Sequence, residues 1–109
     1  MRLFPSADDL IRTGITENGK GNHRAAIAAF TRALRKSPKS MPGYANRASA
    51  YAALGEYDNA LADLNRAISL VPVMAALYFN RGNVYRTMGD TARAIADARN
   101  SVRPRFEQH

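Results

Sequence analysis

His23 and His109 are the chain's two histidines, and it has no cysteine at all. A catalytic or metal site built from such residues needs two or three donors converging on one point. Neither histidine has a carboxylate near it in sequence at ligand or triad spacing, and His109 is the last residue. His23 therefore reads as a partly buried wedge at a turn. Asp63 and Asp97 stand 34 residues apart, a spacing that predicts a repeated solvated face rather than an acid/base pair. The glycines occur singly instead of clustering ahead of a helix, so no phosphate cradle is expected. The chemistry to look for is recognition without catalysis, cofactor or metal.

Two asparagines offer that chemistry. Tyr44-Ala45-Asn46-Arg47 recurs as Tyr78-Phe79-Asn80-Arg81. An asparagine side chain both donates and accepts, which suits it to the alternating N–H and C=O groups of an extended peptide. The net charge of +7, from 16 Lys and Arg against 9 Asp and Glu, favours an acidic partner. Much of that charge falls in or after the last turns of helices (Arg32, Arg35, Lys36 and Lys39, then Arg99, Arg103 and Arg105), where cations complement the helix dipole unaided. Nucleic acid is not expected, because interleaved aromatics for base stacking are lacking.

The elements that must position these residues are set by a repeat. Gly21, Gly55 and Gly89 lie 34 residues apart, each followed five residues on by Ala26, Ala60 or Ala94. Gly14, Ala48 and Gly82 precede them by seven, and Phe30, Leu64 and Ala98 recur behind, as do Ala33, Ala67 and Ser101. This period, with a mid-unit glycine and with Pro38 and Pro72 closing two units, predicts helical hairpins that must stack to cover their apolar faces. Helices are expected over residues 7–20, 24–36, 44–54, 58–70 and 75–88, with a sixth capped by Asp90 and stopped by Pro104. Ser6 is the expected first N-cap, and residues 37–42 a connector. Tyr51, Leu64, Ala67 and Tyr85 are expected among the most buried side chains.

On these residues the chain resembles the tetratricopeptide repeat family. The second unit carries the family's alternation of large and small positions as Tyr44, Ala48, Tyr51, Ala60, Leu64, Ala67 and Pro72, and the third as Tyr78, Gly82, Tyr85 and Ala94. The resemblance implies an all-α fold, a right-handed solenoid of three antiparallel hairpins. One domain over residues 7–106 would comprise repeats at 7–40, 41–74 and 75–106, between an extension (1–6) and a tail (107–109). Glu17 and His23 depart from the pattern in the first unit; Ala98, Ser101, Pro104 and Phe106 depart in the third, a degenerate repeat.

The resemblance also implies where function sits. In such domains the first helix of each hairpin lines a concave groove, which here assigns Ile11, Arg12 and Ile15 from unit one, Asn46, Ser49 and Ala53 from unit two, and Phe79, Asn80, Asn83 and Arg86 from unit three. One subfamily clamps the C-terminal carboxylate of chaperones with five polar residues. Only Asn46 matches that set; Ile11, Ile15, Ala76 and Asn80 occupy the other positions, so an apolar anchor is expected in place of a carboxylate clamp. The expected partner is a protein or peptide segment, with an acidic one favoured by charge. The alternative is self-assembly into homo-oligomers through uncapped ends, at Val102 and Phe106. Neither a targeting segment nor a membrane span is legible, which makes a cytoplasmic protein the expectation.

Overall fold

The computed structural model describes residues 3–102. Six helices run through them: α1 (Ala7–Gly19), α2 (His23–Lys36), α3 (Met41–Ala53), α4 (Tyr57–Leu70), α5 (Ala75–Met88) and α6 (Thr91–Val102). α1 packs on α2, α3 on α4 and α5 on α6, while α2 meets α3 and α4 meets α5, so the hairpins stack in chain order. No strand occurs among the described residues, and no helix there is long and apolar enough to cross a membrane.

Local chemistry sets the boundaries. Ser6 Oγ accepts from Asp9 N at 3.1 Å while the Asp9 carboxylate accepts from Ser6 N at 3.0 Å, a reciprocal capping box. The Asp90 carboxylate accepts from Arg93 N at 3.2 Å at the start of α6. Gly21, Gly55 and Gly89 turn each hairpin at φ of 84°, 75° and 86°, a region that a Cβ disfavours. Met41, Pro42 and Gly43 differ from expectation: they form the first turn of α3 rather than a connector. Proline is tolerated there because a first-turn N–H has no helical acceptor to lose.

Packing follows a size exchange between helices. Phe30 is fully buried over Gly14, whose missing side chain leaves room for the ring; a Cβ at that glycine would overlap it. In the second hairpin Ala48 and Leu64 divide the same space, both 2% exposed. Ala26, Ala33, Ala60 and Ala67 are fully buried, whereas their third-unit counterparts Ala94 and Ser101 are half-buried and Ala98 is exposed. Among the described residues, no further helix covers α6.

Two expectations need correction. Asp63 and Asp97 are not a solvated face: they are 5% and 2% exposed, each gripped by an arginine of the preceding helix. Arg47 Nε and Nη2 donate to Asp63 at 2.7 and 2.8 Å, and Arg81 Nε and Nη2 to Asp97 at 2.9 and 2.8 Å. The hydrogen bond to the aspartate is the main reason each guanidinium is held above its ordinary pKa, against the opposing effect of burial. A third bond ties each pair to the preceding hairpin, from Arg47 to Thr31 Oγ1 at 3.2 Å and from Arg81 to Asn65 Oδ1 at 2.9 Å. Tyr51 and Tyr85 are only half-buried, because they lie beside these partly wet guanidiniums, with ring centroids 5.8 and 6.0 Å from the arginine carbon. Tyr44 and Tyr78 complete the cradles, and each hydroxyl donates at 2.8 Å to the carbonyl of a connector proline, Pro38 or Pro72.

A candidate peptide-binding groove

Stacking brings α3 and α5 to the two sides of a hollow of about 260 Å³. Ala45, Ala48, Ala52, Leu64 and Val84 supply its apolar lining, and Ser49, Asn80, Asn83 and Thr87 its polar lining, with Tyr57 also against it. The floor exists because α3 is alanine-rich on this side: Ala48 must be small to seat against Leu64, and Ala45 and Ala52 lie one helical turn before and after it. Asn80 and Ser49 are exposed and Asn83 is half-buried, so their amide and hydroxyl groups can reach a backbone laid along the hollow. An apolar floor under a few polar groups is the usual make-up of a recognition cleft.

The ten residues assigned from the sequence do not all converge. Ser49, Asn80 and Asn83 meet in this hollow. Phe79, Asn83 and Arg86 border a second one, of about 190 Å³, with Gly82, Ala94 and Ala98 at the open end of the stack. Arg12 lines a shallow polar recess on α1 with Asp9, Thr13, Thr16 and Glu17, and its guanidinium donates to Asp9. Ile11 packs against the buried cluster of Ala26, Phe30 and Ala50. Asn46 Nδ2 donates to the carbonyl of Pro42 in its own helix at 2.9 Å, so part of its capacity is already used. Ile15 is half exposed and Ala53 exposed, and neither borders the α3–α5 hollow.

His23 is half-buried as expected of a wedge, its Nδ1 lying 2.6 Å from Asn18 Oδ1. Among the described residues no group of three or more His, Asp or Glu side chains is placed to hold a metal ion. Ala45, Ala52, Val84 and Thr87 are the groove residues that sequence reasoning missed. Each sits one helical turn from an assigned residue, Ala52 at i+3 from Ser49 and the other three at i ± 4, and that spacing was the available signal.

Residues 48–89 match the family described as TPR repeat. Over that stretch the chain is similar to tetratricopeptide repeats. Solved structures agree on the fold. The second TPR of Spaghetti (RPAP3), bound to the HSP90 peptide SRMEEVD, superposes with a TM-score of 0.85 at 25% identity, over 89% of this chain and 90% of that one. The Sgt2 TPR domain from Aspergillus fumigatus gives 0.85 at 26% identity, over 90% of this chain and 65% of that one. MamA gives 0.84 at 28% identity over 88% of this chain, which spans 56% of its length. No curated protein matches the sequence. The three hairpins described here are thus similar in fold to an RPAP3 domain solved with a bound peptide.

Proposed function

We propose that this tetratricopeptide array is a non-catalytic interaction module that takes an extended segment of a partner protein into the hollow between α3 and α5. The observation that carries this reading is the hollow itself: an apolar floor from Ala45, Ala48, Ala52 and Val84, with Ser49, Asn80 and Asn83 on its polar side. A peptide bound in RPAP3 by a domain of the same fold supports it. The partner differs in chemistry from a chaperone carboxylate, since of the five clamp positions only Asn46 matches. An apolar side chain would seat on the floor while the asparagines bond the peptide backbone. Ile15 and Ala53 would lengthen the groove, with Arg86 favouring acidic residues at its rim.

A peptide selected from a random library on the intact chain tests this. Asn80→Ala with Asn83→Ala leaves the net charge unchanged and removes hydrogen bonds worth about 0.5 to 1.5 kcal/mol each. Affinity should fall accordingly, and Ser49→Phe, which fills the hollow from an exposed position, should abolish it. Retention of binding at about 0.5 M salt would separate the groove from diffuse attraction to a basic protein. Selected peptides that bind both variants as tightly as the parent would place the site elsewhere. The alternative, self-association through the open end, draws on Val102, 81% exposed on α6. Phe106 lies outside the described residues.

A further inference from the structure

The hollow between α3 and α5 has a counterpart within the same chain, one repeat earlier. At the junction of α1 and α3 the places of Ala45 and Ser49 are held by Ile11 and Ile15. Ile11 packs there against Phe30 and Ala50, and Ile15 stands 49% exposed beside it in sequence phase. One repeat on, both isoleucines have been exchanged for a methyl and a hydroxymethyl group. Val84 and Thr87, in place of Ala50 and Ala53, return part of that bulk, and about 260 Å³ stays open.

Size and lining narrow what can fill it. A cavity of about 150 Å³ is enough for benzene, so the hollow takes one aromatic ring with a substituent. Ala45, Ala48 and Ala52 lie at i, i+3 and i+7 on α3 and give it a strip of methyl groups on which a flat ring can rest. Tyr57, half-buried against it, offers such a ring a second aromatic to pack on. None of the described residues that line the hollow is charged, so a carboxylate or an ammonium group brought into it would go unpaired.

Two polar groups one turn apart on α5 decide the substituent. Arg86 Nη2 donates to Asn83 Oδ1 at 3.1 Å. A guanidinium only donates, which fixes that amide and leaves Asn83 Nδ2 as the donor still available. Thr87 Oγ1 donates to the Asn83 carbonyl at 2.9 Å, so its lone pairs remain to accept. A donor beside an acceptor suits a hydroxyl. Of phenylalanine, tryptophan and tyrosine, only tyrosine carries a group that both donates and accepts. Resting on the groove reading above, we infer that the hollow seats a tyrosine of the partner segment, its ring on the alanine strip and its hydroxyl between Asn83 and Thr87. Asn80, the more exposed of the two asparagines, is left for the peptide backbone.

The test titrates p-cresol and toluene separately into the isotope-labelled whole chain and follows amide NMR shifts along α3 and α5. The phenol should bind with a Kd of about 1 mM, and toluene about tenfold more weakly for want of two hydrogen bonds. Thr87→Val removes the acceptor at nearly the same shape, so it should weaken p-cresol by about fivefold and leave toluene unchanged. Ala45→Ile with Ser49→Ile installs the side chains of the first junction and should abolish binding of both, with its melting curve showing that it stays folded. Peptides selected from a random library should share a tyrosine, and replacing it by phenylalanine should cost about fivefold in affinity. Equal affinity for p-cresol and toluene, no shift in either helix at about 10 mM p-cresol, or binding that survives the double isoleucine variant would overturn the tyrosine seat. Selected peptides that need Asn80 and Asn83 yet lack tyrosine would also overturn it, while leaving the groove reading intact. Peptides indifferent to the groove variants, with p-cresol still bound in the hollow, would instead sink that reading and uphold the phenol seat.

Discussion

Deleting the carboxylate of Asp97 should be among the most damaging single changes this array can suffer. Its side chain is 3% exposed and accepts two bonds from Arg81, which is itself 21% exposed. Bonds to a charged group contribute about 1.5 to 3 kcal/mol each, and breaking a buried pair costs about 3 to 5 kcal/mol because it strands the remaining charge. Arg81 keeps its bond to Asn65 and an edge open to water, which places Asp97→Ala near the lower end, about 3 kcal/mol. For a domain of this size that is a fall in Tm of roughly 12 to 24 °C. The companion variant Asp97→Leu with Arg81→Met removes both charges and should recover most of the loss, since an apolar pair of similar volume is often as stable as a buried ion pair. Urea unfolding at about 0.1 and 1 M NaCl, run as a double-mutant cycle, reads the coupling directly. A buried pair is barely screened by salt, so the coupling should survive. A cost below about 1 kcal/mol for Asp97→Ala, or one that vanishes at high salt, would show the pair to behave as an exposed one and refute its assigned weight.

Gly14→Ala should destabilise by about 1 to 3 kcal/mol through overlap with the Phe30 ring, and Phe30→Leu should relieve it, recreating the Ala48 and Leu64 pairing; thermal melts of the single and double variants decide. Acid should loosen the hairpins at exposed carboxylates, because Glu56 is held below its ordinary pKa chiefly by its bond from Arg24, and Asp90 chiefly by its bond from Arg93. A depressed folded-state pKa means stability that is present above the unfolded value and lost as pH falls through the folded one, so Tm should decline below about pH 4. Glu56→Gln with Asp90→Asn should flatten that decline in a pH series of melts.

The repeat was open to sequence reasoning because its signals are local: a glycine that must turn left-handed, a proline that cannot lie within a helix, and apolar residues at helical spacing. Each constrains the backbone within a few residues, so helix ends came within three residues even where Pro42 was misplaced. Asp63 and Asp97 show where that reasoning stops. Their repeat spacing was plain, but their burial depends on Arg47 and Arg81, sixteen residues earlier on the partner helix of each hairpin. A charge at one phase looks solvated until the facing helix is in place. The groove divides in the same way. The family pattern named the helices that line it, and Ser49, Asn80 and Asn83 converge there, while Ile11 turns into the core against Phe30 and Arg12 lines a separate recess of α1 beside Asp9. Helical phase alone assigns a side chain to a sector of its helix. Whether that sector meets core, groove or open water is decided by the crossing of neighbouring helices, which here depends on how Gly14, Ala48 and Gly82 trade volume with Phe30, Leu64 and Ala98.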